Sequence, residues 1–265
     1  MDKKKKILTI ITIFLLILVI FLSYLVFNKY IFKVNFENQI LPFANKNEKV
    51  IFTIDKILFF SNCDALNKTS SATNFTIENL YQYTDMAIFV NTDVLEKTPE
   101  NTLKNVTLNN IKFNKMPTLG EPSLYFKSLN QFAKSDINEQ NNINDSLNFN
   151  ITSENEADLN TPTLYNNLAN PITLSYVNNN IKSDYTILDI SSPITYDGSL
   201  LKRCNIPLES LNCNLSFDIY ITNNKSQEFK CTVFIDIPLS NENSTLYDGK
   251  IISTKYTNFK FYRYK

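Results

Sequence analysis

Few side chains in this sequence could do nucleophilic or metal-binding chemistry. There are four cysteines, Cys63, Cys204, Cys213 and Cys231, and no histidine. Without His, triads built on an imidazole base and His-ligated metal sites are excluded by inventory. A Ser and Lys pair is the remaining ordinary way to activate a nucleophile, and the one S-x-x-K spacing, Ser199 to Lys202, merely follows an Asp-Gly turn signal. No C-x-x-C spacing exists, which argues against a zinc site. The even thiol count permits disulfides in three connectivities, although Cys213 and Cys231 also read as small buried hydrophobes.

Carboxylate pairs can hydrolyse glycosidic bonds, but the gap that defines such a pair lies in space, so each Asp or Glu reads first as a solvated surface residue. Tyr196-Asp197-Gly198 and Tyr247-Asp248-Gly249 repeat one tripeptide and read as tight turns between strands. Glu154, Glu156 and Asp158 form an acidic group without the spacing of an EF-hand calcium loop. The three glycines, Gly120, Gly198 and Gly249, are too few for a glycine-rich phosphate loop. No catalytic residue, metal site or cofactor is therefore expected.

One local cluster suggests contact with a partner. Lys255, Tyr256, Lys260, Tyr262, Arg263 and Tyr264 alternate bases with aromatics near the C-terminus. They read as a final edge strand whose lysines discourage edge-to-edge pairing, and as the candidate contact surface. The whole chain has 26 basic and 26 acidic residues, so no basic excess points to nucleic acid. Asparagine is in excess at 38 of 265 residues, which reads as the coding bias of an AT-rich genome.

The elements that must position these residues have the period of strands. Leu211, Cys213, Leu215, Phe217, Ile219 and Ile221 alternate with polar residues. After a loop at 223–226, Phe229, Cys231, Val233, Ile235 and Ile237 alternate again. This pattern predicts a long antiparallel hairpin with one buried face. With a tight loop, Cys213 is expected opposite residue 236. Rougher strands are predicted around residues 50–54, 86–90 and 106–113, with a bulge at Asn109 and Asn110 where the apolar spacing slips. Others fall at 172–177, 185–190, 250–254 and 257–264, and short helical turns at 124–132 and 200–211. Residues 134–160 are rich in Asn, Glu and Ser and read as a polar linker or long loop. The expected fold is all-β: one or two antiparallel, immunoglobulin-like β-sandwich modules, divided if two into residues 49–133 and 161–265.

Ahead of this lies an uncharged run over residues 7–27, in which 17 of 21 residues are Leu, Ile, Val or Phe. As a helix it is about 31 Å long, against a hydrocarbon core of about 30 Å. Ile7, Phe14, Leu18 and Phe27 mark its length. It is longer than the apolar region of a cleaved signal peptide and ends without a small-residue cleavage pattern, so an uncleaved single-pass transmembrane anchor is expected. Lys3, Lys4, Lys5 and Lys6 should hold a cytoplasmic stub, residues 1–6, on the inner side. A juxtamembrane linker, residues 28–48, then leads to an extracytoplasmic bulk. The sequence thus leads us to expect an integral membrane protein of the bacterial cell envelope, with a noncatalytic binding or scaffold role toward an envelope polymer or another membrane protein. The alternative is a glycan-acting envelope enzyme using a carboxylate pair.

Overall fold

The computed structural model describes residues 3–44, 50–70, 75–92, 96–153, 158, 160–187, 195–239, 245–249 and 251–263. The chain divides into two compact units, an N-terminal helix and a β unit spanning Lys49–Arg263.

Helix α1 runs over Lys3–Ala44. Within it, Ile11–Phe36 is long and apolar enough to cross a membrane, with a mean hydropathy of 2.6, and none of it is buried inside the protein. Phe14, Leu18 and Phe27 all lie in this stretch with exposed side chains, and Lys3, Lys4, Lys5, Lys6 and Ile7 form the start of the helix. Of the linker expected at residues 28–48, residues 28–44 continue the helix and 45–48 lie outside the described residues. The first proline after the lysines is Pro42, and no glycine precedes it, so nothing breaks the helix earlier.

The β unit is mostly strand and forms two sheets. The first contains β1 (Phe52–Ser70), β2 (Phe75–Thr92), β4 (Glu121–Phe126), β7 (Ile172–Ile187) and β10 (Ile251–Lys260), in the order β10-β1-β2-β7-β4. The second contains β3 (Leu103–Lys115), β5 (Leu147–Thr152), β6 (Thr163–Tyr165), β8 (Cys213–Asn223), β9 (Glu228–Ile237) and β11 (Tyr262–Arg263), in the order β11-β9-β8-β3-β5-β6. Neighbours are antiparallel except β5 and β6, which run parallel. The two sheets share a core in which Phe52, Ile57, Met86 and Leu174 of the first meet Leu108, Phe217, Ile219 and Val233 of the second, giving a sandwich-like architecture.

Strands from before residues 134–160 pair with strands from after them in both sheets: β1 with β10, β2 with β7 and β3 with β8. The expected split into modules 49–133 and 161–265 is therefore not the division this chain makes. Residues 134–160 contribute strand β5 and the buried residues Ile143 and Phe149, so the segment is not a plain linker.

The predicted hairpin is present, with each of the alternating apolar residues of β8 and β9 buried. Its register differs by one residue, because Cys213 faces Ile237. The Asn223 N–H donates to the Gln227 carbonyl, and Ser226 adopts a φ of 59°, so the loop holds three residues between its closing pair. The bulge expected at Asn109 and Asn110 is also present: the β3–β8 register slips between Asn109 and Lys112, and Asn110 has a φ of 53°. Around residues 124–132, part of the segment expected to be helical is strand β4, followed by a single 3-10 turn at Leu129–Gln131. Helix α2 (Ser199–Arg203) and a 3-10 turn at Leu208–Leu211 occupy the second predicted helical region.

Candidate functional site

The outer face of the first sheet carries an arrangement that the alternation of β2 does not reveal. Even-numbered Met86 and Ile88 point into the core, so Tyr81, Tyr83 and Asp85 face outward. They would meet water were they not covered. After β4 the chain turns back over this face, and Phe132, Ala133 and Ile137 pack on Phe60, Tyr81, Tyr83, Tyr125 and Val177. The Tyr81 hydroxyl donates to the Ser135 carbonyl at 2.8 Å, fastening the returning segment.

Asp85 lies beneath this strap with no exposed surface. The Lys127 ammonium is 3.0 Å from each of its carboxylate oxygens, Ser175 Oγ donates to Oδ1 at 2.6 Å and the Ala133 N–H donates to Oδ2 at 2.7 Å. Lys127 Nζ also donates to the Lys134 carbonyl and sits 4.9 Å from the centre of the Tyr83 ring. Burial pushes the Asp85 carboxyl above its ordinary range, while Lys127, Ser175 and the Ala133 N–H pull it back. Burial likewise drives the Tyr81 hydroxyl up to about 12 and the Tyr83 hydroxyl higher still. Both charges are paired and saturated with hydrogen bonds, so the pair acts as a clasp between strap and sheet.

Beside the clasp is a cleft of about 270 Å³, at the small end for a ligand pocket. Tyr125, Gln131, Asn138, Asn141 and Asn160 are among its walls. Asn130 Nδ2 donates to Asn160 Oδ1 at 2.6 Å, and Gln131 Oε1 is buried without a hydrogen-bond partner. Among the described residues Asp136 is the one carboxylate lining the cleft. Beside Lys127 and Asp136, the amides of Gln131, Asn138, Asn141 and Asn160 offer donors and acceptors to a small polar group.

The other residues singled out by sequence fall elsewhere. Lys255, Tyr256 and Lys260 lie on β10, an edge strand of the first sheet, where Tyr256 is 81% exposed. Tyr262 and Arg263 lie on β11, an edge of the second sheet, paired with Lys230 and Phe229. The chain changes sheets at buried Phe261, whose N–H donates to the Phe52 carbonyl. The cluster is thus divided between two edges rather than lying on one strand, and Tyr264 is outside the described residues.

Ser199 Oγ donates to Asp197 Oδ1, so the S-x-x-K serine serves the start of α2. The two Tyr-Asp-Gly stretches are not hairpin turns. Asp197 and Gly198 lead into α2, whereas Asp248 and Gly249 end a 3-10 turn at Leu246–Asp248. They pack together so closely that a Cβ on Gly198 would stand 1.8 Å from the Leu246 carbonyl oxygen and 2.1 Å from that of Gly249. Among the described residues no three His, Cys, Asp or Glu side chains gather to hold a metal, while Glu154 and Glu156 lie outside them.

All four cysteines are buried as free thiols. Sequence reasoning missed the Asp85–Lys127 clasp, whose members are 42 residues apart and joined only by the return of the chain over the sheet. Compared with protein-family models, curated proteins and solved structures, the chain matches none.

Proposed function

We propose that this chain is a single-pass, membrane-anchored protein whose β unit works outside the cytoplasm as a noncatalytic binding or scaffold module of the bacterial cell envelope. The observation that carries the reading is the bare apolar surface of Ile11–Phe36, none of it covered by protein. At roughly 0.3 to 0.6 kcal/mol per Leu, Ile, Phe or Val, lipid is the environment that stabilises such a helix. The lysines at positions 3–6 favour an inner N-terminus, which sends the β unit outward. In this reading the sandwich is of the immunoglobulin-like kind, supported by two facing, largely antiparallel sheets. Its contacts are the amide-lined cleft beside the clasp and the exposed edge carrying Lys255, Tyr256 and Lys260, toward an envelope polymer or another membrane protein. Confinement to the membrane plane raises the effective concentration of the module for such partners.

Protease added to intact spheroplasts tests the reading. We expect the β unit to be digested while a fragment containing Ile11–Phe36 remains in the membrane pellet. An untouched C-terminal portion, or a mature product that begins beyond residue 27, would overturn it.

A further inference from the structure

The fold separates the four thiols into two groups. Cys213 and Cys231 belong to the main core, on adjacent strands of the β8–β9 hairpin. Cys213 stands opposite Ile237 and Cys231 opposite Ile219, which puts the two cysteines six positions apart along the ladder. At a rise of about 3.4 Å per residue that separation is roughly 20 Å. A disulfide needs Cα atoms within about 7 Å, so this pair is excluded. Cys63 and Cys204 belong instead to the second core cluster, with Leu80, Ile181, Leu200 and Leu211. Cys63 lies on β1, Cys204 ends α2, and α2 packs on β1. Any pairing of Cys63 or Cys204 with the other two cysteines would have to join separate clusters.

We propose that Cys63 and Cys204 are a disulfide site, oxidised once the β unit is outside the cytoplasm, with Cys213 and Cys231 remaining thiols. The compartment part of this proposal rests on the exported reading given above, whereas the pairing rests on the fold alone. Electrostatics agrees with the proximity. Burial is the main cause raising the Cys63 thiol above its ordinary value, and Cys204 comes next, ahead of the adjacent residue Asp64.

Cys204, at 9% exposure, is the more accessible partner, while Cys63 is fully buried. The Cys204 thiolate attacks the disulfide of an envelope thiol–disulfide exchange protein, forming a mixed disulfide and releasing one of its sulfurs as a thiolate. The Cys63 thiolate then attacks Cys204 Sγ and expels the second sulfur. Overall, two thiols of this chain give up two protons and two electrons, and the donor disulfide is reduced to a dithiol.

The test uses the reduced full-length protein in detergent, treated with oxidised glutathione and then alkylated after denaturation. We expect two of the four thiols to escape alkylation and a non-reduced digest to join the peptides containing Cys63 and Cys204. Four alkylated thiols, stable glutathione adducts in place of a bridge, or a bridge to Cys213 or Cys231 would refute the pairing whatever the compartment. The same alkylation on acid-quenched cells tests the native state. The bridge is expected there too, and free thiols in cells, after bridging with glutathione in vitro, would refute oxidation in the native protein and count against export.

Discussion

Asp85 reads in the sequence as one acid among many, on the polar face of a strand where it should be solvated. It is instead fully buried, because residues 127–137 return over that face and bring Lys127 to it. Burying two charges is costly, and the cost is offset only while both remain paired and hydrogen-bonded. Asp85→Ala leaves the buried Lys127 ammonium without its counter-charge and with the Lys134 carbonyl as its remaining hydrogen-bond acceptor, and should destabilise the β unit by about 3 to 5 kcal/mol. Lys127→Met should cost less than Asp85→Ala, since the carboxylate keeps Ser175 and the Ala133 N–H. The double variant should lose clearly less than the sum of the two, which is the signature of direct coupling. Urea unfolding followed by tyrosine fluorescence measures this, since the chain has no tryptophan. Additive losses would mean that the pair is not the clasp.

At the level of elements, the two faces of the β8–β9 hairpin offer a controlled comparison. Phe217 is fully buried between the sheets, whereas Phe234, on the partner strand, is 52% exposed. Phe217→Ala removes a large side chain from a packed core and should cost about 3 to 5 kcal/mol. Phe234→Ala should change stability by less than about 0.5 kcal/mol. Equal losses in urea unfolding would show that the hairpin does not bury the assigned face. That face was legible because alternation is a local property of the sequence. The bulge at Asn110 was legible too, since an extra residue disturbs the same alternation. The register was missed by one residue because it depends on Ser226, rather than the neighbouring Asn224, taking a left-handed conformation in the loop. Beyond this hairpin, which strands would be neighbours could not be read. Thr53 pairs with Lys260, and such long-range partners leave no periodic trace. The polar composition of residues 134–160 likewise concealed Ile143 and Phe149, single apolar residues that the core takes up. The cleft beside the clasp was hidden for the same reason, because its walls come from β4, β7 and the segment that returns over them.

For the molecule as a whole, interleaved strands make Lys49–Arg263 one compact unit, and its buried thiols and phenols tie that unit's stability to alkaline pH. Burial is the first cause raising every cysteine above its ordinary value, with Cys231 reaching about 12, and it raises Tyr81 to about 12 and Tyr83 and Tyr176 further. Below about pH 8 these groups hold their protons in both folded and unfolded chains and contribute no slope. Above about 8.5 the unfolded thiols ionise while the folded ones stay neutral, so unfolding releases protons and stability falls as pH rises. Each fully discriminating thiol contributes a slope of about 1.4 kcal/mol per pH unit, and from about pH 10 the tyrosines steepen it. For Cys231 the loss is complete only near pH 12, where its folded form also ionises. With reductant present, the urea midpoint of the full-length protein should therefore be level from pH 7 to 8 and decline steadily from 9 to 10.5. A midpoint that stays constant to pH 10.5 would mean that these thiols and phenols ionise as readily in the folded chain as in the unfolded one, which the burial of all four cysteines does not allow.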